Sequence, residues 1–142
     1  MNISAKTEYA CIAMLELAAH FRSKDPVRVR DLAETHDIPA RFLVQILLQM
    51  KAAGLVASTR GAAGGYQLIR DPEQLRLADV MAVIEGPAVG APMNVSADTP
   101  ITRILQSTWW EAADAQQQVL SAVTFADLLE HSRDAGELMY YI

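Results

Sequence analysis

Residues 31–69 read DLAETHDIPARFLVQILLQMKAAGLVASTRGAAGGYQLI, and the order of local signals in this stretch decides the fold. Asp31 to His36 has the composition of a brief helix, which Asp37 and Ile38 break. Pro39 cannot sit inside a helix but suits a first turn, so a second helix starts there. Leu43, Ile46, Leu47 and Met50 recur at helical spacing and form its core stripe, and Gly54 is its natural C-terminal stop. Two β-type runs follow, Leu55–Arg60 and Tyr66–Ile69, separated by the glycine-rich turn Gly61-Ala62-Ala63-Gly64-Gly65.

Outward toward the N-terminus, residues 4–22 read as a helix with Ser4 as N-cap and Cys11, Met14, Leu15 and Ala18 as its stripe. Tyr9 and Ile12 widen that apolar surface, as a helix packed between two neighbours requires. Residues 23–26 form a turn, and Val27 to Val29 can pair as a short strand. Toward the C-terminus, Leu77, Val80, Met81 and Ile84 give a helix closed by Gly86-Pro87. Residues 86–100 show no periodicity, and a structureless segment of that size in a small protein often has a function. Asp98-Thr99-Pro100 starts a long helix over about 101–123, and Thr124 to Asp127 resembles a capping box opening a terminal helix.

Two helices joined by a tight turn and followed by a glycine-tipped hairpin make a winged helix-turn-helix. The expected fold is therefore mainly α with a small β-wing. Residues 1–86 form the winged helix-turn-helix, 87–100 a loop, and 101–142 a long dimerisation helix with a C-terminal helix. Opposite the core stripe of helix 39–53 stand Arg41, Val44, Gln45 and Leu48. Arginine pairs with guanine O6 and N7 and glutamine with adenine N6 and N7, so Arg41 and Gln45 are candidate base readers. Val44 and Leu48 suit thymine methyls or a protein surface. Arg60 enters the wing, where a long cation reaches phosphate or the minor groove. Gly64 belongs to the tip whose glycines let the backbone turn tightly and approach a duplex.

Charge supports this reading. The net charge is −5, yet residues 1–70 carry nine Lys/Arg against six acids (+3) and residues 71–142 three against eleven (−8). Such asymmetry fits a front half, with Arg28 among its cations, that meets a polyanion. Residues 101–123 are too long and too apolar on one side to lie solvated. Ile101, Leu105, Trp109 and Leu120 are expected to face a second copy. Trp109 and Trp110 point about 100° apart on a helix, one toward that seam and the other toward the loop.

Several segments resemble one family. Ser4, Lys6, Tyr9 and Ala10 resemble its opening. Leu32-Ala33-Glu34 with Ile38 to Leu47 resembles its helix-turn-helix, and Lys51 to Val56 with Arg60-Gly61-Ala62-Ala63-Gly64-Gly65-Tyr66 its wing signature. The family is that of the bacterial winged-helix regulators that include IscR, NsrR and CymR. The resemblance implies a homodimer on a palindromic operator of double-stranded DNA, with Lys6 and Tyr9 near phosphates. It implies a transcriptional regulator in the cytoplasm, expected to be a repressor. The alternative is a winged helix that controls a partner protein through Val44 and Leu48.

Many members of that family hold an iron–sulfur cluster with three cysteines before the long helix. Residues 86–100 here contain no Cys and no His, and Cys11 is the single thiol of the chain. Clusters need several thiolates or imidazoles, so no cofactor is expected. Cys11 reads as a small core residue, and His20, His36 and His131 lack metal-ligand spacing. No Gly-x-Ser-x-Gly, P-loop or His-Glu-x-x-His pattern suggests an enzyme, and no apolar run reaches membrane-spanning length. The signal the protein answers, whether a small molecule or a protein, is not legible in the residues.

Overall fold

The computed structural model describes residues 1–140. The elements run α1 (Ala5–Ala19), α2 (Val29–His36), α3 (Ala40–Ala52), β1 (Val56–Thr59), β2 (Gly65–Leu68), α4 (Leu77–Glu85), α5 (Pro100–Ala122) and α6 (Phe125–Tyr140). Ser4 caps α1, its hydroxyl accepting from the Thr7 N–H at 3.2 Å. α1 is the central helix, packed against α3, α4 and α6. Thr7, Ala10, Ala13, Met14, Leu17 and Ala18 are its buried residues. Cys11 and Leu15, expected on the core stripe, are only half-buried at its flank. The alanines explain the rotation: small residues let helices approach closely, whereas a stripe read from large residues misses them.

The turn between α2 and α3 is tight because Asp37 adopts the left-handed conformation (φ 52°) and Ile38 plugs the core behind it. Pro39 stands at the N-cap of α3, and Leu43, Ile46, Leu47 and Met50 are fully buried, as the stripe requires. Gly54, at φ +77°, ends the helix and turns the chain into β1. β1 and β2 pair antiparallel from Val56↔Leu68 to Thr59↔Gly65. The strand expected over Val27–Val29 shrinks to one bridge, Val27↔Tyr66, because Val29 already belongs to α2. A Cβ on Gly65 would meet the Val27 backbone at 2.6 Å, so only glycine admits this third chain beside the wing.

After α5 the chain returns to the body. The Leu77 N–H donates to the Val123 carbonyl at 2.9 Å and the Phe125 N–H to the Leu75 carbonyl at 3.0 Å. Thr124 and Asp127 form the expected reciprocal cap, each backbone N–H donating to the other's side chain at 3.0 Å. The Thr124 N–H and hydroxyl hold the Asp127 carboxyl below the usual carboxylate range. Phe125 is completely buried in the same cluster as Met14, Leu47 and Val80. Through Phe125 the C-terminal helix, the second helix of the unit expected over 101–142, is thus rooted in the helix-turn-helix core. Residues 141–142 of that expected unit lie outside the described residues.

α5 is different. It has no buried residue along its length. Its half-buried side chains include Thr102, Gln106, Ala113, Gln117 and Leu120, while Ile101, Ile104, Leu105 and Val119 are exposed.

Candidate nucleic-acid interface

A helix that buries one full stripe must present the opposite one. Arg41, Val44, Gln45 and Leu48 are all exposed on α3, and Leu48 leaves 54% of its surface in solvent. Among the described residues, no element covers this ridge, which the spacing leads one to expect.

The N-terminal end of α3 is organised by aromatic contacts that periodicity did not reveal. The Arg41 guanidinium lies 5.0 Å from the centroid of the Phe42 ring, a cation–π contact that fixes a long side chain at the start of the ridge. Phe42 in turn packs on Tyr9 of α1, their centroids 6.0 Å apart. Tyr9 is therefore half-buried beside the ridge, and Lys6, also half-buried, precedes it by one turn of α1. An aromatic residue next to the first arginine of α3 was the available signal for this link.

The other end of α3 reaches the wing. Lys51 Nζ donates to the Ser58 hydroxyl at 2.7 Å, tying the last turn of α3 to β1. Arg60 follows β1 and is exposed, and Gly61 turns the tip at φ +103°. Gly64 is buried: a Cβ there would fall 2.2 Å from the Thr59 carbonyl oxygen. Glycine at 64 is thus required to close the hairpin against its own strand, a constraint internal to the wing. Arg28, exposed at the N-cap of α2, adjoins Val27 and so the wing base.

Among the described residues the ion pairs are His36–Glu16 at 3.4 Å and Arg103–Asp98 at 2.6 Å. None involves Lys6, Arg28, Arg41 or Arg60. Without an acidic partner among the described residues, these cations are available to an anion from outside the chain.

The four residues expected at a dimer seam span an arc of about 100° on α5 and differ in exposure. Ile101, Leu105 and Trp109 are exposed on α5, Ile101 by 73%. Leu120 is half-buried and lines a cavity toward α4 together with Trp110. On a helical wheel it lies about 100° from Ile101, about 60° from Leu105 and about 20° from Trp109, at the edge of that arc. Beside Trp109 and Leu120, an exposed apolar stripe runs from Ile101 and Leu105 through Ala112 and Ala115 to Val119.

The only thiol, on Cys11, is pushed up to about 11 by burial and, secondarily, by the Glu85 carboxylate. The neutral thiol is the form favoured there, which suits packing and opposes redox or metal chemistry.

Residues 3–131 match the model of the Rrf2 family, described as an iron-dependent transcriptional regulator. The HTH-type transcriptional regulator CymR of Bacillus subtilis is 35% identical over the whole of both chains. The structure of CymR (YrzC), the global cysteine regulator of B. subtilis, covers 92% of this chain and 98% of its own at a TM-score of 0.81 and 32% identity. The structure of T. potens IscR covers 95% and 90%, respectively, at a TM-score of 0.78 and 31% identity. Iron in the family's description asks for a group of thiolate, imidazole or carboxylate donors held together. Residues 86–100 supply no thiol or imidazole. Among the described residues, no three His, Cys, Asp or Glu side chains come together to hold a metal. A single thiol, with none in residues 86–100, does not fit an iron–sulfur cluster. The six helices and antiparallel wing, the sequence match and the likeness to solved structures agree, and the chain belongs to the Rrf2 family of transcriptional regulators.

Proposed function

We propose that two copies of this chain bind a palindromic operator in double-stranded DNA and act as a cluster-free repressor in the cytoplasm. The observation that carries this reading is the uncovered ridge of α3, with Arg41 fixed at its start and unpaired cations on either side of it. In this reading the ridge enters the major groove. Arg41 and Gln45 contact base edges, and Val44 and Leu48 contact thymine methyls. Lys6, Tyr9, Arg28 and Arg60 engage phosphates, Arg60 from the wing. Residues 1–86, with Phe125 completing their core, are the DNA-binding unit. α5 pairs the protomers so that two recognition helices stand about 34 Å apart. Its exposed stripe of Ile101, Leu105, Ala112 and Val119 supports that role, since so long an apolar face is rarely left to solvent.

The test selects duplexes from a random pool and follows their binding by anisotropy across salt concentrations. Arg41→Ala and Gln45→Ala are expected to relax base preference, each costing about 1–3 kcal/mol at the matched base pair. Arg60→Ala should weaken all duplexes alike and lower the salt slope by about one. If duplex binding shows no salt dependence and the three variants bind as the parent does, Val44 and Leu48 belong to a protein-docking surface instead.

A further inference from the structure

A cavity of about 460 Å³ lies between α4, the segment 86–90 that follows it, and the middle of α5. Its size is that of a small-molecule site. Met81, Trp110 and Leu120 supply apolar walls, and Gln117 an amide. The loop sits directly on the indole, since a Cβ on Gly90 would overlap the Trp110 ring at 1.9 Å. The indole is thereby shared between the cavity and the segment that flanks it.

The charges around this cavity are all of one sign. Among the described residues, Glu85 and Asp114 are its charged lining residues, with no Lys, Arg or His beside them. Glu85 accepts a hydrogen bond from the Thr7 hydroxyl at 2.8 Å, which orients its carboxylate from the core side. Asp114 is held by the Gln118 amide at 2.8 Å. Neither carboxylate is in an ion pair among the described residues. An indole in the wall and two carboxylates without ion-pair partners around a partly apolar hollow favour one kind of guest, a cation that carries its charge on an apolar body. An anion would meet repulsion, and a strongly hydrated metal ion would find apolar walls.

We infer that this cavity binds a lipophilic organic cation, such as a quaternary ammonium, phosphonium or protonated aromatic amine. The guest would touch both α4, part of the helix-turn-helix body, and α5. Its effect on operator binding rests on the function proposed above, whereas its binding does not.

The test is calorimetric titration of the full chain, without DNA, with tetraphenylphosphonium and with tetraphenylborate. These two ions share a shape and differ in the sign of charge. Saturable binding of the phosphonium is expected, with the borate at least tenfold weaker. Glu85→Gln with Asp114→Asn should weaken the phosphonium by about tenfold and narrow the gap between the ions, because both carboxylates stand at a solvent-exposed rim that screens them. Gln at 85 keeps an oxygen for Thr7, and circular dichroism checks the fold. Ala82→Phe, which fills the hollow without touching the charges, should weaken both ions. Equal binding of the two ions, or an unchanged phosphonium affinity in these variants, overturns the inference. So does an affinity that falls as chain concentration rises, which means that a second copy occupies the cavity. None of these outcomes depends on whether the chain binds DNA.

Discussion

The helix-turn-helix body and α5 contain similar proportions of apolar residues but use them differently. In the body, Met14, Leu32, Leu47, Leu75, Val80 and Phe125 close on one another and lose nearly all contact with water. In α5, Ile101, Ile104 and Val119 keep 73%, 69% and 63% of their surface exposed. Burial at about 25 cal/mol per Å² makes the first set the main source of the body's stability, and the second contributes little until something covers it. A pattern of apolar residues therefore identifies a face, and only its surroundings tell whether the face serves folding or assembly.

The sharpest way to break this contrast is at Phe125, the residue of the C-terminal segment that belongs to the body. Phe125→Ala is expected to destabilise the fold by about 3–5 kcal/mol, read from thermal or urea unfolding. Ile101→Ala, on the exposed stripe, is its control. Equal losses for the two would mean that the C-terminal helix is not anchored in the core.

A second comparison separates two leucines on one helix. Leu105→Glu places a charge on the exposed stripe and is expected to give monomers in sedimentation velocity while helix content stays intact. Leu120→Glu faces the body across the cavity. It should lower stability by about 1–3 kcal/mol and leave the dimer in place. A monomeric Leu120→Glu beside a dimeric Leu105→Glu would move the seam to the other face of α5.

The smallest effect concerns Cys11, at the flank of the packed region. With its thiol pushed from 9.0 to about 11, alkylation near pH 7.5 should run roughly 100-fold slower than in the unfolded chain. The sign for stability follows. A raised folded value favours the neutral thiol, so this contribution is complete below the unfolded value and is lost as pH rises through about 11. Rapid alkylation in the native state would place Cys11 at an open surface.

Much of this was legible in the residues. Strong local devices set the helix-turn-helix: Pro39 at a helix start, Gly54 at its end, the four-residue core stripe between them and the glycine turn of the wing. Each acts within a few residues of chain, so periodicity and turn chemistry suffice to place it, and the ridge of Arg41, Val44, Gln45 and Leu48 follows as the remaining face. Ser4, Thr124 and Asp127 were legible for the same reason, because a cap is a contact three residues long.

What needed the tertiary structure involves partners far apart in sequence. The face of α1 centres on Ala10 and Ala13 because three helices crowd it, and small residues carry no weight in an apolar pattern. Phe125 joins the core only because Leu75 and Leu77 pair with the chain at Val123 to Phe125. Gly64 proved to be required by Thr59 across the hairpin, and Tyr9 reached Arg41 only through Phe42. Leu120 and Leu105 look alike in the sequence of a single amphipathic helix. Their surroundings differ because α4 lies against one side of that helix, and among the described residues nothing lies against the other.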